Sequence, residues 1–123
     1  MMGTKEICDY LEGYLEATKP KKILEVGYGE GRTAKLFQSF KPSIHIIVEK
    51  DYINYQVGKE WAKGKKVFIY NNAIENFSAP YIFDLVFDGR WAVNNEWLSN
   101  LKFVNFLYHY QWEYRKQVED GDW

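Results

Sequence analysis

The chain of 123 residues fits one domain of ordinary size, and its hydrophobic fraction of 46% and charged fraction of 27% are normal for a soluble globular protein. A formal net charge of -1 gives no basis for nonspecific attraction to nucleic acid or to a membrane surface. One cysteine, Cys8, rules out an internal disulfide and makes a reducing compartment the default. We therefore expect a single cytoplasmic domain over residues 1–123, with neither nucleic acid nor a membrane as partner.

Strand-like and helix-like segments alternate along the chain. A leading helix is predicted over residues 1–20, where Ile7, Leu11 and Leu15 belong to one apolar stripe and Pro20 ends the helix. The alternation predicts an α/β fold with a parallel sheet and right-handed crossovers. The other predicted elements are strands over 21–26, 44–48, 67–70 and 81–87, helices over 32–40 and 52–62, and a long C-terminal helix over 94–118.

Polar residues or glycines end all four predicted strands. Glu25 and Gly27 follow the first strand, Glu49 the second, Asn72 the third and Asp88 the fourth. In open α/β sheets, ligands bind outside the carboxyl ends of the strands, at the point where the strand order reverses. The sequence therefore predicts a ligand site at one rim of the sheet.

A glycine loop follows the first strand and opens a helix. Glycines at positions 27, 29 and 31 allow a sharp turn and let a ligand approach the bare main chain. Glu49 ends the next strand, 18 residues after Gly31. A carboxylate at that place can accept hydrogen bonds from both hydroxyls of a ribose, so the pattern favours a ligand that contains a nucleoside.

The details of this loop separate the candidate nucleotides. Its spacing is G-x-G-x-G, whereas the loop that binds the pyrophosphate of NAD is G-x-G-x-x-G. Glu25 lies two residues before the loop, and a negative charge is unfavourable beside a pyrophosphate. The sequence has no GK[ST] element of a P-loop. An acid here suits a ligand with a positive end, such as S-adenosylmethionine, which carries an ammonium and a sulfonium but no phosphate.

Four segments resemble the first four motifs of class I S-adenosylmethionine-dependent methyltransferases, in the same order and at similar spacing: ILEVGYGEG, HIIVEKD, FIYNNAIENF and FDLVFDG. The resemblance covers about residues 5 to 120, and the run from HIIVEKD to FDLVFDG is similar to the guanidinoacetate methyltransferase group. It implies a Rossmann-like three-layer sandwich with parallel strands in the order 3-2-1-4, part of a sheet that has about seven strands in the family.

The resemblance also implies roles for individual residues. Glu25 would lie near the methionine ammonium, Glu49 would hold the ribose hydroxyls, and Lys50 would flank the adenine. Asn72 takes the place of an Asp that meets the adenine amino group, and its carbonyl oxygen can still accept that hydrogen bond. The remaining implied cofactor residues are Gly27, Tyr28, Gly29 and Gly31 around the methionine and ribose, with Ala73 and Ile74 beside the adenine.

For methyl transfer, Asp88 is the candidate that orients or deprotonates the nucleophile, since it matches the position next to the transferred methyl. The alternative is a strand-end acid that accepts hydrogen bonds from loop amides. Arg90 and Trp91 follow it and are candidate substrate contacts, or else a surface arginine and a packing tryptophan. His45 and His109 are expected to be structural, and no metal site is expected.

The C-terminal segment raises a separate expectation. Four predicted strands leave the sheet incomplete against the family pattern, so we expect a chain truncated before the fifth strand, as a fragment or as a minimal form completed by a partner. The helix over 94–118 carries two aromatic stripes, and one of them could form a homodimer.

Three functions stay open. The first is a methyltransferase that uses S-adenosylmethionine on a nitrogen or oxygen of a small-molecule substrate. The second is a cofactor-binding module or partner subunit without its own catalysis. The third is another S-adenosyl-using transferase, although aminopropyl transferases generally have an acid cluster after the fourth strand and this chain has only Asp88 there.

Overall fold

A computed structural model describes residues 4–90 and 95–108. In this part of the chain, five parallel strands form one sheet in the order β3-β2-β1-β4-β5. The elements are α1 (Thr4–Thr18), β1 (Lys22–Val26), α2 (Arg32–Ser39), β2 (Ile44–Glu49), α3 (Tyr52–Ala62), β3 (Phe68–Asn71), a 3-10 helix (Ile74–Asn76), β4 (Ile82–Asp88), a second 3-10 helix (Glu96–Asn100) and β5 (Lys102–Tyr108).

The sheet confirms the predicted order 3-2-1-4 and extends it by one strand. β1 pairs with β2 on one side, where Glu25 lies opposite Ile47, and with β4 on the other, where Val26 lies opposite Asp88. The chain moves outward from β1 to β2 and β3, and then returns to the far side of β1 with β4. The strand order therefore reverses between β1 and β4, where their carboxyl ends open a crevice.

One face of the sheet is covered by α1 and α2. Ile7, Leu11 and Leu15 of α1 are buried, as their spacing predicts, and they pack with Phe37 of α2 against β1 and β4. Because these side chains recur at helical spacing, a single stripe places the whole of α1 against the sheet. Packing of α1 also brings Ile7 to the mouth of the crevice.

Helix α3 has the predicted bounds but a different inward face. Ile53, Val57 and Trp61 lie four residues apart, but Ile53 and Val57 are 70% and 55% exposed, so this spacing does not mark the face that packs on the sheet. The buried residue of α3 is Gly58. A Cβ at Gly58 would meet Ile69 Cδ1, and the lack of one lets α3 lie close to β3.

The C-terminal helix predicted over 94–118 is wrong for residues 96–108, which form the second 3-10 helix and β5. Phe, Val and Tyr favour strands, and β5 pairs in parallel with the free side of β4 from Lys102 to Tyr108. A fifth strand is therefore present, and the expected truncation before it is also wrong. The sheet of five described strands is still smaller than the family sheet, which has about seven. The homodimer was predicted through a helix over 94–118. Residues 96–108 do not form that helix, and residues 109–118 lie outside the described residues, so the homodimer stays a prediction.

The second face of the sheet has a different cover. The core on this side contains Leu24, Val48 and Val86, and Trp97 of the second 3-10 helix packs against it. Ile74 of the first 3-10 helix is buried in the same cluster. Among the helices within residues 4–90 and 95–108, none is long and apolar enough to cross a membrane.

Two glycine-to-alanine changes in helices should have opposite effects. Gly58→Ala adds a methyl group that meets Ile69 and the Tyr28 ring, and should lower the free energy of unfolding by about 1–2 kcal/mol. Gly13→Ala is the matched control, since a Cβ at Gly13 in α1 meets no atom within 4 Å. It should stabilise by about 0.5–1 kcal/mol through helix propensity. Urea denaturation measures both, and stabilisation by Gly58→Ala would contradict the packing.

Candidate functional site

A cavity of about 360 Å³ opens at the carboxyl ends of β1, β2 and β4. Its lining brings together six of the predicted site residues, namely Gly27, Tyr28, Gly29, Gly31, Glu49 and Arg90. Sequence reasoning missed the other lining residues, which are Ile7, Glu30, Arg32, Thr33, Asn54, Phe87 and Gly89.

The glycine loop needs the conformations that only glycine adopts easily. Gly27, Gly29 and Gly31 have φ angles of 89°, 55° and 83°, all in the left-handed region. The amide of Gly27 donates to the carbonyl oxygen of Val48 at 2.8 Å, which ties the loop to β2. Gly31 caps the N-terminus of α2, and a Cβ there would collide with the Tyr28 hydroxyl.

The Tyr28 side chain packs between the glycine loop and the core. Its side chain is 4% exposed and packs with Ala34 and Ile47, and its ring lies 5.8 Å from that of Trp61. Burial, with a smaller effect of the Glu25 charge, raises the pKa of Tyr28 above its ordinary value. The phenol therefore stays neutral, and its ring holds the loop against the core.

Glu49 joins the loop to the start of α3. Its Oε1 accepts hydrogen bonds from the backbone amides of Tyr28 at 2.8 Å and Gly29 at 3.2 Å, and its Oε2 accepts one from Asp51 at 2.9 Å. The residue is 6% exposed and still lines the cavity. A carboxylate can accept about four hydrogen bonds, so one position on Oε2 is left for a ligand hydroxyl.

Glu25 is fully buried and does not line the cavity. Its Oε2 accepts a hydrogen bond from the Thr33 hydroxyl, and its Oε1 lies 3.1 Å from Nε2 of His45. Thr33 does line the cavity. The predicted place of Glu25 near a ligand ammonium stays a prediction. The residue that lies between Glu25 and the cavity is Thr33.

Asp88 is also fully buried, under Arg90. Its Oδ1 accepts from the Arg90 backbone amide at 2.9 Å and from Nε at 3.0 Å, and its Oδ2 accepts from Nη2 at 3.0 Å. Burial alone would lower the pKa of Arg90, but the hydrogen bond and charge of Asp88, with Glu75 and Glu49, raise it. The guanidinium also lies 5.7 Å from the Trp97 ring. Asp88 therefore fixes Arg90, and its catalytic role stays a prediction.

The predicted adenine contacts do not line this cavity. Lys50 and Asn72 are exposed, and the Asn72 side chain accepts a hydrogen bond from the amide of Ala73 at 2.9 Å. Ile74 is 2% exposed and belongs to the core, so its side chain is less available to a ligand than predicted. Trp91 lies outside the described residues.

His45, which the sequence analysis expects to be structural, contacts Glu25. It is fully buried in β2, between Glu25 and Gln38. The usable clue was its place in a strand next to the one that holds Glu25. Within the residues described, no group of three His, Cys, Asp or Glu side chains could hold a metal ion.

No protein-family model and no curated protein matches this sequence. Solved structures do match it. A candidate caffeoyl-CoA O-methyltransferase from Staphylococcus aureus is 18% identical, with a TM-score of 0.67 over 80% of this chain and 52% of its own. A plantazolicin methyltransferase, solved with a substrate analogue and S-adenosylhomocysteine (SAH), is 19% identical, with a TM-score of 0.63 over 81% of this chain and 42% of its own. A candidate methylase from Haemophilus influenzae is 16% identical, with a TM-score of 0.64 over 81% of this chain and 73% of its own.

The chain has a Rossmann-like methyltransferase fold. It spans about half or less of the length of the first two of these structures and more of the third. At these identities, the likeness concerns the fold. The similarity to the guanidinoacetate methyltransferase group stays a prediction.

Asp88→Asn should destabilise the fold. The change removes the charge that pairs with Arg90 and places an amide donor against guanidinium donors, so the free energy of unfolding should fall by about 1.5–3 kcal/mol. Glu60→Gln is the control, because Glu60 pairs with Lys63 on the surface and should change stability by about 0.2–1 kcal/mol. Equal losses in denaturant titrations would contradict the structural pairing of Asp88 with Arg90.

Proposed function

We propose that the chain binds S-adenosylmethionine and is a methyltransferase for a nitrogen or oxygen of a small-molecule acceptor. The observation that carries the proposal is the glycine loop anchored by Glu49 at the mouth of the cavity. The support from known proteins is the methyltransferase fold, together with neighbours solved in the presence of SAH.

The charges around the cavity favour this cofactor over a dinucleotide. Glu30 and Glu49 balance Arg32 and Arg90 in the lining, and Glu25 adds a buried negative charge beneath it. A ligand with an ammonium and a sulfonium complements this balance, whereas a pyrophosphate adds negative charge to it. The free position on Glu49 Oε2 suits a ribose hydroxyl.

For the transfer itself, the chain would mainly align the acceptor with the methyl group and the sulfur. Arg90 lines the cavity with a fixed guanidinium, which suits it to hold an acceptor group. Asp88 is fully buried under Arg90 and does not line the cavity, so it can act as a base only if Arg90 moves away from its carboxylate. Asp88 would therefore remove a proton only from an acceptor that first displaces Arg90 from its carboxylate.

The second candidate is a cofactor-binding module or partner subunit without catalysis of its own. One observation favours it: both oxygens of the Asp88 carboxylate accept hydrogen bonds from Arg90. Transfer of another group from an S-adenosyl compound stays the third. Methyl release from S-adenosylmethionine with guanidino, amine and phenol acceptors would distinguish an enzyme from a module.

Calorimetric titration with S-adenosylmethionine, SAH and NAD tests the cofactor. We expect binding of the first two and none of NAD. Glu49→Ala should weaken binding by about 10- to 100-fold, because it removes the charged acceptor that anchors the loop and a ribose contact.

The surface change Glu60→Ala is the control for that titration and should leave the affinity unchanged. Tight binding of NAD without binding of SAH would overturn the assignment of the cofactor. An affinity for SAH that Glu49→Ala does not alter would place the nucleoside elsewhere.

A further inference from the structure

Four side chains form a hydrogen-bonded chain between α2 and the sheet, which begins and ends on α2 and reaches the cavity at Thr33. Gln38 Nε2 lies 3.1 Å from His45 Nδ1, and His45 Nε2 lies 3.1 Å from Glu25 Oε1. Glu25 Oε2 then accepts from the hydroxyl of Thr33. The two central members, His45 and Glu25, are both fully buried. The proposed catalytic chemistry uses neither Gln38 nor His45.

The partners of His45 define its tautomer. An amide nitrogen can only donate, so His45 Nδ1 accepts from Gln38 and the ring proton lies on Nε2, from which it is donated to Glu25. The ring of Phe37 lies edge-on to the imidazole, at 5.9 Å between centroids, and limits its rotation. Glu25 therefore receives one of its two hydrogen bonds from Nε2 of His45, whose ring is held in place.

Thr33 transmits this arrangement to the cavity. Its hydroxyl has one proton, which it gives to Glu25, so only its lone pairs remain for a ligand. The hydroxyl oxygen is also polarised by the buried carboxylate behind it. The side chain of Thr33 therefore offers the cavity acceptor positions and no donor. Such a position selects a donor group, above all a cationic one, and disfavours a carboxylate or phosphate.

We propose that His45 is a positioning residue for the ammonium group of the ligand, acting through Glu25 and Thr33. The ammonium donates a hydrogen bond to Thr33 Oγ1. The Glu25 carboxylate attracts it electrostatically without a direct contact. This inference rests on the proposed binding of S-adenosylmethionine and adds the residue that meets the ammonium, the relay behind it and the chemical preference of that position. Arg32 and Glu30 next to Thr33 pair with each other at 3.5 Å on the surface.

Three ligands separate the ammonium from the rest of the cofactor. SAH carries an ammonium and a carboxylate, decarboxylated SAH keeps only the ammonium, and 5′-methylthioadenosine has neither, while all three have a neutral thioether sulfur. In the wild-type chain, both ammonium ligands should bind more tightly than 5′-methylthioadenosine. His45→Leu should weaken the two ammonium ligands by about 10- to 100-fold and leave 5′-methylthioadenosine within about twofold. A merely structural defect would weaken all three alike.

His45→Gln is the conservative variant, because its amide can donate to Glu25 as Nε2 does, and it should restore most of the affinity. Thr33→Val removes the hydroxyl at the cavity and should reproduce the selective loss if His45→Leu fails to fold. Thr33→Ser keeps the hydroxyl and should retain binding.

Three results would overturn the proposal. One is an equal loss for all three ligands in Thr33→Val. Another is a loss for SAH but not for its decarboxylated form, which would assign Thr33 to the carboxylate. The third is a wild-type chain that binds the three ligands equally. A wild-type chain that binds none of them would instead refute the proposed cofactor itself, so the two failures are distinguishable.

Discussion

The carboxylate of Glu49 is the interaction on which the site depends. It collects backbone amides from the glycine loop and from the start of α3, so the end of β2 holds two neighbouring segments in place. Left-handed glycines make the loop able to turn, but they also make it loose, because glycine has the largest conformational freedom of any residue. Two hydrogen bonds from the loop to one buried carboxylate offset part of that freedom.

Three acids are buried at this rim of the sheet, and each has hydrogen-bond donors that compensate for the loss of water. Glu25, Glu49 and Asp88 all lie at the ends of central strands, and each has its own class of donor. Backbone amides satisfy Glu49, a histidine and a threonine satisfy Glu25, and an arginine satisfies Asp88. A buried charge is tolerated only when such partners are present. The three acids therefore differ in what they can still offer to a ligand, although the sequence presents them as one set.

The sequence was sufficient for the elements from α1 to β4 and for the loop, because strong periodicity and glycine spacing report local structure directly. It was insufficient after residue 94. The run from Trp97 to Tyr108 contains both a spacing of four and the aromatic and β-branched residues of a strand, and pairing with β4 decides between them. The partners of buried side chains could not be predicted from the sequence either, because the contact of Glu25 with His45 joins positions 20 residues apart on two strands.

The anchored loop has a kinetic consequence. With the amides of Tyr28 and Gly29 already bound to Glu49, the backbone of the entrance is ordered before any ligand arrives. Pre-organised partners usually associate without a slow rearrangement, so encounter rather than folding of the loop would limit capture of the ligand. Selectivity would then be expressed chiefly in how long a molecule stays, and the residues that contact it last on departure would set its lifetime in the cavity.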